Sequence, residues 1–414
     1  MQLTSGSHLT YCTNIHAGER WPEVRENLAR HVVAVKRLVC PNAPFGVGLR
    51  LSARAADELS RGDALDELKA FLAANDLYVF TINGFPHGAF HGEVVKQRVY
   101  LPDWRDPERV RYTNVLADLL AALVPDGVDG SVSTVPGAFR AEVRGADDVR
   151  AMVRNLVRSV AHLVALRARS GRTVALAIEP EPACHVETVA ETVALFRDHL
   201  YAEPAVAQLA HEAALSRDAA TLALRRHLGV CLDTCHAAVE YEDAAGAVAA
   251  LRAEHIPILK VQLSAGLRLP RADARARAAL APYLDRVYLH QVVERRGALL
   301  TRHVDLPDAL ASADTASAAH ATPPEWRVHF HVPIFHDRLG AFESTRDFLA
   351  GVLALHREAP LGPHLEVETY TWDVLPPEAR TGSIDEAVAR ELRWVLSELR
   401  ETDASSDATT REAP

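Results

Sequence analysis

Short apolar runs recur eight times along the chain, each followed by a stretch of helical periodicity, and this alternation narrows the possible folds most sharply. The runs are LTYCTNI from Leu9, FGVGLRL from Phe45, LYVFTING from Leu77 and GSVSTVPG from Gly130. They continue with TVALAIEPEP from Thr173, GVCLDTCH from Gly229, ILKVQLSAG from Ile258 and LEVETYTW from Leu365. Between them lie amphipathic segments such as WPEVRENLARHVVAVKRLV from Trp21 and DDVRAMVRNLVRSVAHLVALRARSG from Asp147. Strands alternating with helices build βαβ units and a parallel sheet. Eight such units favour closure over an open doubly wound sheet. No G-x-G-x-x-G follows the first strand, so a dinucleotide fold gains no support. The expected fold class is α/β, a (β/α)8 TIM barrel with long insertions after strands 3 and 7. At 414 residues the chain fits one such domain over 1–400, with a disordered tail over 401–414.

Two excursions break the rhythm. GFPHGAFHGEVVKQRVYLPDW runs from Gly84 to Trp104 after the third strand and is rich in Gly, aromatics and His. The second runs from Leu267 to Pro363 and holds two more strand-like pieces, VYLHQVVER from Val287 and RVHFHVPIF from Arg327. These predict a lid or a small β subdomain over the barrel mouth. Long ordered loops in compact domains are usually functional. The stretch ASADTASAAHATPPE from Ala311 reads as mobile.

A net charge of −10 argues against a protein built mainly to bind nucleic acid. The cysteines at positions 12, 40, 184, 231 and 235 are odd in number and scattered, so no disulfide framework is expected. The opening MQLTSGSHLTYC lacks a basic segment followed by an apolar one, which predicts no signal peptide. No apolar run reaches membrane-spanning length, so a cytoplasmic setting is the expectation.

In such a barrel the active site lies at the C-terminal ends of the strands. The first run ends in Asn14 and His16, and the third in Asn83 followed by His87. The fifth ends in Glu179 and Glu181, the sixth in Asp233 and His236. The seventh carries Gln262 and Ser264, the eighth Glu366, Glu368 and Thr369. Carboxylates gathered at one rim repel one another unless protonated or bridged by a cation. Carboxylates with imidazoles are an ordinary ligand set for Zn²⁺ or Mn²⁺. Plainer roles stand beside this one. Asp233 could simply cap the following helix. Cys235 is expected to pack behind its neighbours rather than bind metal. His329 and His331 share a face of their strand, and either a ligand or a surface role fits His331.

These residues carry a family resemblance. LAIEPEP, LDTCHAAVEYED and LEVET resemble the motifs of the xylose isomerase-like barrel superfamily, which includes sugar phosphate isomerases and epimerases, inosose dehydratases and the endonuclease IV branch. DTCHA resembles endonuclease IV in particular. TNIHAGERWPEV, YVFTINGFPHGAFHG with VYLPDW, YLHQVV and HFHVPIF look more like the EboE group, whose gene cluster is linked to metabolite traffic in bacteria. The resemblance implies metal ligands at Glu179, Asp233, His236 and Glu368. The seventh strand departs from the pattern: relatives carry His-Leu-x-Asp where this chain has Gln262, Leu263, Ser264 and Ala265. His331 is then expected to reach in as the replacement ligand, and Gln262 to hold substrate hydroxyls.

The resemblance implies a metal-dependent isomerase or epimerase acting on a small polyhydroxylated substrate, a sugar, a cyclitol or a phosphate of either. Glu179 and Glu368 would exchange the proton. His16, Asn83, His87 and Trp104 are the expected substrate contacts. Two alternatives are a metal-dependent hydrolase of phosphoesterase or endonuclease type, and a non-catalytic metabolite-binding component of an export pathway.

Overall fold

The computed structural model describes residues 1–91, 94–316, 322–380 and 382–400. Seven barrel strands come first: β1 (His8–Tyr11), β2 (Phe45–Arg50), β3 (Leu77–Asn83), β4 (Gly130–Thr134), β5 (Val174–Ile178), β6 (Leu228–Asp233) and β7 (Ile258–Leu263). Six strands of the second excursion follow: β8 (Leu267–Leu269), β9 (Val292–Arg296), β10 (Leu299–His303), β11 (Glu325–Val328), β12 (Arg338–Leu339) and β13 (Phe342–Ser344). The last barrel strand is β14 (His364–Val367). The eight barrel strands pair in the order β1-β14-β7-β6-β5-β4-β3-β2, all in parallel. The ring closes between β1 and β2 through one bridge, Cys12 to Gly48. The Thr10 hydroxyl reinforces it, donating to Gly46 O at 2.7 Å and accepting from Gly48 N at 3.1 Å. The (β/α)8 barrel expected from the alternation is therefore present, and all eight strand-like runs supply its strands.

Period two explains how these strands serve both faces. On β14, Leu365 and Val367 belong to the apolar core shared with the outer helices. His364 and Glu366 alternate with them and reach across the lumen. The His364 ring meets the Ser131 hydroxyl of β4 at 2.8 Å, and Glu366 pairs with Lys260 of β7. Thr81 and Ser131 hydroxyls meet at 2.8 Å in the same layer. Every one of these groups is buried, so each needs a partner, and the lumen is filled by mutual pairing rather than by aliphatic side chains. Gly48 makes room for it: a Cβ there would lie 2.0 Å from Glu366 Oε1.

Helices cover the outside. The longest, Ala146–Ser170, buries a stripe from Met152 through Leu156, Val160 and Leu163, and stops at Gly171 in the left-handed region (φ 71°). The two helices after β6 begin on acidic caps, Asp233 for Thr234–Val239 and Asp243 for Ala244–Ala253.

The second excursion folds into an antiparallel sheet of order β10-β9-β11-β8-β13-β12. Its strands differ from the sequence expectation in extent. Residues 287–291 precede β9 as loop, and the β11 ladder ends at Val328, before the histidines. Phe330 N bonds back to Val328 O at 2.8 Å, which turns the chain out of the ladder. The next residues return to the barrel, with Val332 N on Ala265 O at 2.8 Å. His329 and His331 are therefore not residues of a strand face but of a segment crossing the barrel mouth. The helix Leu306–Ala316 takes in the start of the stretch read as mobile from Ala311; its positions 317–321 and the tail 401–414 lie outside the described residues. No helix among the described residues is long and apolar enough to cross a membrane.

Candidate metal centre

Three barrel strands deliver a carboxylate to the same rim. Glu179 follows β5, Asp233 ends β6, and Glu368 follows β14. One oxygen of each lies within 4.8 Å of the others, and all three residues are buried. Two more groups of three adjoin this one: Asp233 with His236 and His331, and Glu181 with His236 and His329. Cys235 Sγ lies at the same spacing from His329 and His331, while its side chain packs with Val239 and Val293.

Hydrogen bonding fixes the proton on each ring. His236 Nδ1 lies 3.0 Å from the Pro180 carbonyl and His331 Nδ1 lies 2.8 Å from the Glu368 carbonyl. A carbonyl only accepts, so both Nδ1 atoms donate and each Nε2 is the atom left for another partner. His329 Nδ1 donates likewise to Gln291 Oε1 at 2.7 Å, because the Gln291 amide nitrogen donates to Pro182 O. The Nε2 atoms of His236 and His329 face each other at 3.1 Å. The third, of His331, is buried without a partner. Facing lone pairs repel unless a proton or a cation lies between them. A ring whose far nitrogen is tied to a carbonyl is the usual presentation of a metal-binding imidazole.

The carboxylates tell the same story. Asp233 Oδ1 accepts from His236 N and from the Ser264 hydroxyl, each at 2.8 Å, while Oδ2 has no partner. Glu179 Oε2 has none either. Glu368 Oε1 accepts from the Asn14 and Asn83 amides at 2.8 and 3.0 Å. Burial pushes the Glu179 carboxyl well above its ordinary range, and the Glu368 and Asp233 charges push it further. Burial and then Asp233 do the same to Glu368. Burial holds the His331 ring down to about 4. Three buried carboxylates with orphaned oxygens beside imidazole nitrogens are costly as a bare set and well suited to a divalent cation. The described residues thus include a ligand set for such an ion, with mixed nitrogen and oxygen donors.

Gln262, in register with Asp233 and Glu366, does not join the set. It is fully buried, its Oε1 accepts from the Cys231 thiol at 2.9 Å, and its Nε2 is unpartnered. It does not line the cavity over the carboxylates, so it is not placed as a substrate contact. His331 occupies the adjoining position instead.

Three other expected substrate contacts also lie off the cavity, among the described residues that line it. The His16 ring stacks on His31 at 4.2 Å and meets the Tyr11 hydroxyl. His87 pairs with Glu108 at 3.2 Å on the flank of the mouth. Trp104 is fully buried beneath the rim, its indole donating to Thr134 Oγ1 at 3.2 Å. Each was placed near the site by its position after a strand, and each is drawn away by a local partner. Asn83 does line the cavity, beside Glu179, Glu368 and His236.

The cavity also holds residues without a role in the sequence reading: Glu181, His329, Tyr100, Tyr288 and Tyr370. Glu181 Oε1 accepts from the Tyr100 hydroxyl at 2.7 Å, and Gln291 links that hydroxyl to His329. The alternation Glu179-Pro180-Glu181 held a signal for the second carboxylate, since period two aims both to one side. Nothing in the sequence locates Tyr288, whose position depends on the path of the insertion.

No protein-family model matches the sequence, and no curated protein does. Among solved structures the chain is similar to the IOLI protein with a bound zinc atom, with a TM-score of 0.44 and 13% identity over 95% of this chain and 97% of that one. It is similar to a xylose isomerase domain protein from Alicyclobacillus acidocaldarius subsp. acidocaldarius, at TM-score 0.43 and 13% identity over 94% and 98% of the two chains. A family 2 AP endonuclease from Brucella melitensis gives a TM-score of 0.36 and 12% identity over 62% of this chain and 78% of that one.

Proposed function

We propose that this chain is a metal-dependent enzyme of the isomerase or epimerase type, acting by proton transfer on a small hydroxylated carbonyl compound. The observation that carries this reading is the convergence of Glu179, Asp233 and Glu368 with oriented imidazoles at the rim. Glu179, Asp233, Glu368, His236 and His331 would hold the ion, zinc or manganese by their donor types. Bound there, a divalent ion supplies Lewis acidity to a carbonyl oxygen and so acidifies the adjacent C–H.

The chain's own residues supply the rest. Glu179 lines the cavity, where its carboxylate is placed to take and return a proton. Glu368 lines it too, and the Asn14 and Asn83 amides hold one of its oxygens, which fixes the direction of the other. A proton removed at one carboxylate and returned at the other gives epimerisation at one carbon or isomerisation between two. Tyr100, Glu181 and Gln291 orient His329. Phe85 and Phe90 line the same cavity. On this reading the chain acts in a bacterial cytoplasm with no nucleic-acid partner, and its EboE-like segments connect it to metabolite traffic.

Hydrolysis is the second reading, favoured by one observation. The Glu181, His236 and His329 group adjoins the Glu179, Asp233 and Glu368 group without sharing a residue with it, which suits two ions. Deuterium uptake separates the two. The metal-loaded chain is expected to exchange carbon-bound hydrogen of dihydroxyacetone with D₂O. Glu179→Gln and Glu368→Gln are each expected to slow that exchange by about a hundredfold or more while the chain stays folded. Exchange no faster than in buffer, with turnover of bis(p-nitrophenyl) phosphate instead, would favour the hydrolase.

A further inference from the structure

The wall opposite the carboxylates is aromatic. Phe90, Tyr288 and Tyr370 come from three separate connections, and their ring centroids lie 5.1 to 5.2 Å apart. With Val95 they form an apolar cluster distinct from the barrel core. The rings lean on one another and line a cavity of about 60 Å³. That volume is well short of the roughly 150 Å³ that benzene fills. A substrate with a ring-sized body must therefore part these rings and replace their mutual contacts with its own.

Cationic groups are scarce on this wall. Among the described residues lining the cavity, Lys96 is the single cationic side chain outside the imidazoles, and it is paired with Asp305 at 2.6 Å. Arg50 stands behind Phe90 but is engaged by Glu19 and by the Gly18 and Gly88 carbonyls. A phosphate dianion buried here would find no free guanidinium or ammonium, and would meet Glu181 besides.

We propose that the compound handled here is an uncharged hydroxyketone or vicinal diol with a flat apolar body, its oxygens toward Glu179 and Glu368 and its body between Phe90, Tyr288 and Tyr370, and that phosphorylated sugars are excluded. This rests on the metal-dependent reading above for the oxygen end, and on the aromatic wall alone for the body. Val95 and Lys96 belong to this wall. They are held to the insertion by Val95 N and Lys96 N on the Val287 carbonyl, both at 3.0 Å, and by the Lys96–Asp305 pair.

The test uses three probes that share one hydroxyketone head: phenacyl alcohol, dihydroxyacetone and dihydroxyacetone phosphate. Their dissociation constants are measured by calorimetry on the zinc-loaded full-length chain, with metal content read on the same samples. Phenacyl alcohol is expected to bind roughly tenfold or more tightly than dihydroxyacetone, from burial of its ring, and the phosphate weakest. Phe90→Ala is expected to weaken phenacyl alcohol about tenfold and leave dihydroxyacetone within twofold. Tyr288→Leu, which keeps most of the volume, is expected to act in the same direction. Tightest binding by the phosphate, or phenacyl alcohol unmoved by both variants, would overturn the proposal. A chain that retains metal but prefers the phosphate loses this inference alone. A chain that takes up no metal loses the metal-dependent reading, and the probe order still decides the character of the wall.

Discussion

Asp233 divides its two oxygens between two tasks. Oδ1 caps the helix that follows, through His236 N, and Oδ2 is left bare toward Glu179 and Glu368. The choice between a cap and a ligand therefore does not arise at this residue. Substitution separates the two roles. Asn caps about as well as Asp, so Asp233→Asn is expected to leave the metal-free chain at least as stable in urea unfolding, since it also relieves repulsion. Metal affinity is expected to fall by roughly a hundredfold or more, because even outer-shell changes cost ten- to a hundredfold. Asp233→Ala is expected to lose the same affinity and about 1 kcal/mol of metal-free stability as well. Unchanged affinity in Asp233→Asn would remove this residue from the ligand set. The carboxylates were legible in the sequence because each ends an apolar run, where an unpaired charge is expensive. His331 was legible only as a replacement for what Gln262 lacks. The tyrosines and His329 were not, because their approach depends on how a long insertion folds back.

At the scale of elements, the final helix Ile384–Leu399 ties the ligand-bearing segments together. Its Glu391 is buried, accepting from the Thr369 hydroxyl at 2.7 Å and from Ile334 N at 3.1 Å. One bond reaches the residue after Glu368, the other a residue three beyond His331. Burial raises this carboxyl to about 7, above the 4.5 of an unfolded chain. The unfolded state therefore releases its proton first as pH rises. The stability that the protonated group contributes is full below about pH 4.5 and is lost as pH climbs through about 7, on the order of 3 kcal/mol. Glu391→Gln keeps the acceptor and has no proton to lose. Its stability is expected to exceed that of the parent at pH 8 and to match it at pH 4.5, by urea midpoints. A parallel pH dependence in parent and variant would show that Glu391 is ionised without penalty. The eight barrel strands were readable because each is a short apolar run followed by a segment of helical periodicity. The insertion strands were misjudged at their ends because β11 is stopped by a local turn at Phe330, not by a change in composition.

At the scale of the molecule, the barrel spends polar residues freely. Its lumen holds Lys260 against Glu366 and a chain of hydroxyls, and its rim gathers further carboxylates a layer above. The lower layer is neutralised from within. The upper layer is not, and that difference is what suits the rim to a cation rather than to another internal ion pair. A bound ion should also stabilise the fold, by about 4 kcal/mol at a thousandfold excess over its dissociation constant. Metal content is the most direct measurement of the account. The purified full-length chain, exposed to zinc and then dialysed against metal-free buffer, is expected to retain at least one ion per chain by mass spectrometry, and Asp233→Asn to retain less. A parent chain that retains none would contradict the account.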